Sequence, residues 1–182
     1  YTPTAPGSSI QRLTRVQQPD GSAWTFAMAE QQSPMAPSAT GGNTCSGSTW
    51  IPQPAPLPEQ RISTITHPSG AVGSFTLQNV MHGRSNFSAN PCPFLQGTTS
   101  HDGPTPEFPV RSIVAKSLSG PGMSAQTWAY SWGAPNASWG CGSTPCTRTK
   151  TLTVTDPRGF QSRYTFGNDA MATAGQQLVL EE

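Results

Sequence analysis

One pattern recurs four times along the chain and limits what it can fold into. It is an alternating apolar and polar run, a turn built on Pro and Gly, and a second run with large apolar side chains at fixed offsets. The first copy carries Leu13 and Val16, then Pro19 and Gly21, then Trp24, Phe26 and Met28. The second carries Ile62 and Ile65, Pro68 and Gly70, then Phe75 and Leu77. The third carries Val114 and Leu118, Pro121 and Gly122, then Trp128, Tyr130 and Trp132; the fourth carries Leu152 and Val154, Pro157 and Gly159, then Tyr164 and Phe166. In all four, apolar residues stand at the seventh and ninth positions after the Pro.

The physical chemistry of this pattern is that of a β-hairpin. Pro fixes φ at the first turn position, Gly accepts positive φ close by, and side chains two apart on a strand share a face. Each hairpin then has one ring-bearing face and one Ser/Thr/Gln face. A lone two-stranded hairpin is marginal in water, so the copies must add edge to edge or stack face to face. The expected fold is all-β: successive antiparallel β-hairpins forming a repetitive sheet, within a single β-repeat region spanning 1–182. Hairpins are predicted at about 10–30, 61–80, 110–133 and 149–168. Pro-rich insertions at about 33–60 and 86–109 read as loop or polyproline-like chain. With 19 Pro and 18 Gly, almost no window is long enough for a three-turn helix.

Composition narrows the function classes. Charged residues make up 10% of the chain, against about 25% in an average soluble domain, which predicts a neutral, hydroxyl-rich surface. Net charge is +1 with no basic run, so the electrostatic footprint of a nucleic-acid partner is missing. No apolar run reaches the length of a transmembrane helix, and no membrane insertion is expected. Nor does any basic segment lead into an apolar stretch as in a signal peptide; the start at Tyr1 reads as a processed product or a piece of something longer. Seven Phe, five Trp and three Tyr argue against disorder in a chain otherwise poor in Leu, Ile and Val.

Cys45, Cys92, Cys141 and Cys146 allow three pairings. Cys141 and Cys146 flank a turn-forming Gly-Ser-Thr-Pro insert, which favours Cys141 with Cys146 and Cys45 with Cys92. Such bonds imply an oxidising compartment, and a Cys45–Cys92 bond would staple the two insertions together. A zinc site and free thiols are the alternatives; zinc normally needs two close Cys pairs, and Cys45 and Cys92 stand alone.

Several segments resemble a known family. TLTVTDPRG at 151–159, leading to RYTFG at 163–167 and GQQL at 175–178, looks like the repeats of RHS/YD-repeat proteins. THPSG at 66–70, and LSGPG at 118–122 with TWAYS at 127–131, resemble divergent repeats of such proteins in Gram-negative bacteria. The resemblance covers the four hairpins outside the two insertions. It implies a secreted or cell-surface protein whose repeats coil into a β-sheet shell. The Tyr-Asp and Gly-Arg-Leu spacing of regular repeats is loose here, and 182 residues are too few to close a shell. The implied function is a structural β-repeat module, part of a shell wall or a self-assembling surface fibre. Its partners would be other copies or the rest of a larger polypeptide.

Candidate chemistry is sparse. Asp156-Pro157-Arg158-Gly159 resembles a self-cleavage motif of some family members, but its place inside a repeat reads as a capped turn. His67, His82 and His101 form no close pair; His101, Asp102 and Glu107 are a weak calcium alternative to an exposed loop. There is no Gly-x-Ser-x-Gly elbow, so no catalytic residue, cofactor or metal is assigned and an enzyme is not expected. Trp50, Trp132 and Trp139 are the candidate binding residues, as a platform for surface glycans in an adhesin or carbohydrate-binding module, or else as hairpin core. Asn86 and Asn136 head N-x-Ser glycosylation patterns.

Overall fold

Three of the four Pro and Gly turns close in the same way. In a computed structural model describing residues 12–29, 44–46, 49–51, 60–86, 106–138, 140–142 and 146–181, Gly21, Gly70 and Gly159 have φ of 85°, 84° and 90°. Each donates its N–H to the carbonyl of the residue before the Pro: Gln18 at 3.0 Å, His67 at 2.9 Å and Asp156 at 3.0 Å. Those three residues in turn donate to the carbonyls of Ser22, Ala71 and Phe160, each at 2.8 Å. This is a three-residue hairpin loop with Gly in the left-handed position. The side chain before the Pro also holds the turn: Asp156 Oδ1 accepts the N–H groups of Arg158 and Phe160 at 2.9 Å, and His67 Nδ1 accepts that of Ser69 at 3.0 Å.

The third turn is shorter than the pattern predicts. Gly120 pairs with Met123, leaving Pro121 and Gly122 alone in the loop. Gly122 has φ of 72°, as the second central residue of a type II turn requires. The reason is that no residue separates this Pro from its Gly, and the ladder takes up the difference with a register shift between Leu118 and Gly120.

The strands are β1 (Arg15–Gln17), β2 (Ala23–Ala27), β3 (Thr44–Ser46), β4 (Thr49–Ile51), β5 (Arg61–Thr66), β6 (Val72–Gly83), β7 (Glu107–Gly120), β8 (Met123–Trp132), β9 (Thr149–Thr155), β10 (Gln161–Gly167) and β11 (Gln177–Glu181). All but β3 and β4 form one nine-stranded sheet in the order β1-β2-β5-β6-β7-β8-β9-β10-β11, with every ladder antiparallel. The all-β expectation of successive hairpins is met, with three differences. β6 and β7 run further than predicted, β11 adds a ninth strand, and the 33–60 insertion contains the small β3–β4 ladder pairing Cys45 with Trp50.

Alternating direction has a consequence for the rims. The short turns after β1, β5, β7 and β9 all lie at one rim, and the connections after β2, β6, β8 and β10 all lie at the other. Pro109 sits within β7 because the β7–β8 ladder covers only Ala115 to Gly120; at Pro109 the strand has β6 on one side, and no ladder bond is lost.

Register sorts the side chains as the pattern predicts. Phe26, Ile65, Gly73 and Leu118 align across four strands; Ser63, Phe75, Lys116 and Trp128 align in the next row; Trp132, Leu152, Tyr164 and Leu180 align in another. The opposite face carries rows such as Ala27, Thr64, Ser74, Ser117 and Thr127. The rings are half-buried, and Leu152 is the sole buried large apolar side chain among the described residues. Lateral contacts supply the packing: Tyr164 stacks on Phe166 with centroids 6.5 Å apart, and the Lys116 ammonium lies 4.0 Å from the Trp128 ring centre.

At Gly159 a Cβ would meet no atom within 4 Å, so any penalty there comes from the backbone alone. Gly159→Ala is expected to lower unfolding free energy by about 1–2 kcal/mol, and Gly159→Asn by less, in urea titrations followed by circular dichroism.

Candidate functional site

β6, β8 and β10 run the same way, so their exits meet at the long-connection rim. Each exit carries an Asn: Asn86 after β6, Asn136 after β8 and Asn168 after β10. Asn86 and Asn136 adopt left-handed backbone, with φ of 57° and 52°, which Asn tolerates better than most residues.

The exits of β6 and β10 are joined by a single parallel bridge between Ser85 and Asp169. Ser85 donates its N–H to the Asn168 carbonyl at 2.8 Å, and its own carbonyl accepts the Ala170 N–H at 2.9 Å. Three strands lie between β6 and β10, so a flat sheet would hold them about 19 Å apart at roughly 4.8 Å per spacing. The bridge therefore rolls this part of the sheet, bringing its first and fifth strands together at one rim. Ser85 is 0% exposed, Asn168 1% and Asp169 3%.

Side-chain amides fill the junction. Asn168 Nδ2 donates to the carbonyls of Pro135 at 3.1 Å and Asn136 at 3.0 Å, while Asn136 Nδ2 donates to the Thr149 carbonyl at 2.7 Å. Asn86 Nδ2 donates to both Asp169 carboxylate oxygens at 3.2 and 3.3 Å, and Asn86 Oδ1 accepts the Cys141 N–H at 3.2 Å. Asp169 also accepts the Met171 N–H at 2.9 Å and pairs with Arg148 at 3.2 Å. The Met171 N–H, then Asn86 and Arg148, hold its carboxyl below the usual range against desolvation. A Cβ on Gly83 would collide with the backbone of Pro135 and Ala137, so only Gly allows this close approach.

Beside the junction, His82 is buried with Nε2 2.8 Å from Ser112 Oγ, and its ring lies edge-on to Trp132 with centroids 4.7 Å apart. Trp132 Nε1 donates to the Ile113 carbonyl at 2.9 Å. Burial, and then the Lys150 cation, push the His82 imidazole down to about 4. Lys150 itself is held below its ordinary value by burial and by Arg84.

The residues singled out from sequence fall unevenly. Cys141 and Cys146 are joined, with Cα atoms 5.5 Å apart, and this bond anchors the segment whose Cys141 N–H reaches Asn86. Cys45 lies on β3 and Trp50 opposite it on β4; the expected Cys45–Cys92 pairing, Trp139, His101 and Asp102 fall outside the described residues. Trp132 is engaged by His82 and Ile113. Asn86 and Asn136, heads of glycosylation patterns, spend their amides on the junction. Among the described residues, no three His, Cys, Asp or Glu side chains converge to hold a metal ion. Sequence reasoning missed Ser85, Asn168 and Asp169 as a group. The available signal was an Asn within four residues after each of three same-direction strands. The arrangement satisfies backbone groups where strands end and ties distant strands together.

Two outcomes follow for stability. The folded His82 pKa lies below the unfolded value, so the unfolded chain binds the extra proton between pH 6.5 and 4. That contribution is intact above pH 6.5 and declines as pH falls toward 4. The urea midpoint is expected to drop from pH 7 to pH 4.5, with a shallower slope in His82→Gln. The Cys141–Cys146 bond closes a loop of sequence separation 5, worth about 2 kcal/mol. Cys141→Ser with Cys146→Ser is expected to lose about that much, measured by urea unfolding.

Comparison of the chain with protein-family models, with curated proteins and with solved structures returned no match.

Proposed function

We propose that this chain is a structural module, a stretch of extracellular sheet that grows by strand addition at its edges. One observation carries the reading. Among the described residues strand order follows chain order, so the outer strands are β1 and β11, and most of the exposed large apolar side chains lie on or beside them, Ile62, Phe160 and Met171 being the others. Leu13, Val16 and Met28 are exposed at the β1 end, and Leu178, Val179 and Leu180 at the β11 end. An unpaired apolar edge is a template for another strand, which proteins ordinarily blunt with charge or cover.

Other features agree. The surface charge is low, so approaching sheets repel little. The Cys141–Cys146 bond suits an oxidising compartment outside the cytosol. The Pro and Gly turns carry the resemblance to RHS/YD repeats, whose sheets form shell walls; the added strands would come from the same long polypeptide or from further copies. Trp132, held against His82 and Ile113, lends no support to a glycan platform.

Light scattering across a concentration series tests the reading. Species heavier than one chain, increasing with concentration, are expected. A stable compact monomer throughout would count decisively against it.

A further inference from the structure

We propose that His82 and Trp132 form an acid-sensitive latch on the seam between β7 and β8, and that protonation of His82 frees the β8 exit from β6 while the ladders of the sheet stay paired.

The seam is where lateral hydrogen bonding between two neighbouring strands stops. β7 and β8 pair from Gly120 and Met123 only as far as Ala115 and Ala129. Beyond that point β8 follows β9, through the Tyr130–Val154, Ser131–Thr153 and Trp132–Leu152 pairs and the Gly133 N–H on the Thr151 carbonyl at 2.9 Å. The rest of β7 stays with β6, down to Glu107 opposite Gly83. Trp132 crosses the gap. Its indole N–H donates to the Ile113 carbonyl of β7 at 2.9 Å, and its ring lies against His82 of β6 with centroids 4.7 Å apart. Further along the chain the Ser138 N–H donates to the Arg84 carbonyl at 3.1 Å, and Ser138 Oγ accepts the Asn86 N–H at 3.2 Å, so the exit of β8 rests on that of β6.

The imidazole is the titratable part of this contact, and it is only 8% exposed. Ser112 directs its hydroxyl proton to the Val110 carbonyl at 3.3 Å, so His82 Nε2 donates to Ser112 Oγ at 2.8 Å and an incoming proton goes to Nδ1. The surrounding charges favour the neutral ring. Lys150 of β9 faces it; Arg84 faces Lys150 and lies 4.8 Å over the ring of Phe108, the residue opposite His82. β8 brings no charge, and burial keeps its Tyr130 protonated. On β7, Glu107 and Arg111 are each already engaged, and beyond β10 Asp169 is paired with Arg148 at 3.2 Å. An imidazolium would gain a cation–π attraction to the indole, but burial and Lys150 outweigh it and hold the ring at about 4 rather than 6.5.

Lifting the β8 exit exposes the ring and returns it to its ordinary value. Between pH 6.5 and 4 the open form therefore binds a proton that the closed form does not. The latch is fully shut above pH 6.5 and loosens as pH falls, with the opening equilibrium rising by about 300-fold at most.

Hydrogen exchange followed by NMR on the full chain, corrected for intrinsic rates, tests the latch between pH 6.5 and 4. Protection of the Trp132 indole N–H and the Ser138 amide is expected to fall by between about tenfold and about 300-fold, while Gly133, bonded to β9, keeps its protection. His82→Gln, which can still donate to Ser112 and does not titrate, is expected to abolish the fall. Trp132→Phe keeps a ring on His82 but loses the bond to Ile113, so its Ser138 protection is expected to be lower already at pH 6.5. Unchanged protection at pH 4, a fall shared equally by Gly133, the same fall in His82→Gln, or wild-type Ser138 protection in Trp132→Phe would each overturn the latch.

Discussion

A flat single sheet hides a side chain only behind its neighbours in the same sheet, and outside the rolled part between β6 and β10 the described residues are built under that constraint. There, residues two apart on one strand and opposite residues on adjacent strands are the available cover. A Leu or Val on such a surface stays substantially wet, whereas an aromatic ring is broad enough to span the gap between strands. The composition follows from this geometry. Leu152 becomes buried because Trp132 and Tyr164 flank it in register, while Leu180, at the end of the same row with a neighbour on one side only, remains 44% exposed. Along this row burial therefore fades toward the β11 edge, while the most exposed apolar side chains, Met171, Phe160 and Ile62, lie in connections and on β5.

Lateral packing cannot by itself fix the curvature of such a sheet, and the polar junction contributes what the rings do not. Strand ends leave backbone donors and acceptors without ladder partners, and burying them unpaired costs about 1–3 kcal/mol each. Three Asn side chains meet part of that demand: Asn168 and Asn136 donate through Nδ2 to carbonyls, and Asn86 donates through Nδ2 to the Asp169 carboxylate and accepts the Cys141 N–H through Oδ1. Asn168 reaches the β8 exit, Asn136 the start of β9 and Asn86 the carboxylate of Asp169, the second residue after β10. The Ser85–Asp169 bridge can then close. The same roll brings Trp132 over His82, which explains how an imidazole comes to be buried with a hydroxyl and a ring for company rather than a carboxylate.

The hairpins were legible because everything that makes them is local. Pro157, Gly159, Tyr164 and Phe166 lie within ten residues, and their offsets state turn, face and register together. The third turn departed from the pattern for an equally local reason, the missing residue between Pro121 and Gly122. The junction was not legible because its members lie far apart: Asn86 and Asp169 are 83 residues apart, and each alone looks like an ordinary loop residue. Their meeting depends on which strands run the same way and end at the same rim, which is fixed only when the strand count between them is known. β11 escaped notice for a related reason. It follows a ring-bearing strand without a Pro and Gly turn of its own, and its register shift removes strict alternation.

The same counting of strands gives the sheet two unlike rims. Pro and Gly turns of two or three residues close one rim and leave no room for variation without loss of register. The opposite rim carries every long connection, including both Pro-rich insertions, the Cys141–Cys146 segment and the polar junction. Each insertion joins strands that are already neighbours, β2 to β5 and β6 to β7, so it leaves the strand order untouched. Loop-closure entropy rises by only about 0.6 kcal/mol for each doubling of loop length, so length there is tolerated cheaply. Sequence change can therefore accumulate at the long-connection rim while the turn rim and the rows of rings hold the register. The junction sits at that rim, where it joins the exits of β6 and β10 and meets the exit of β8.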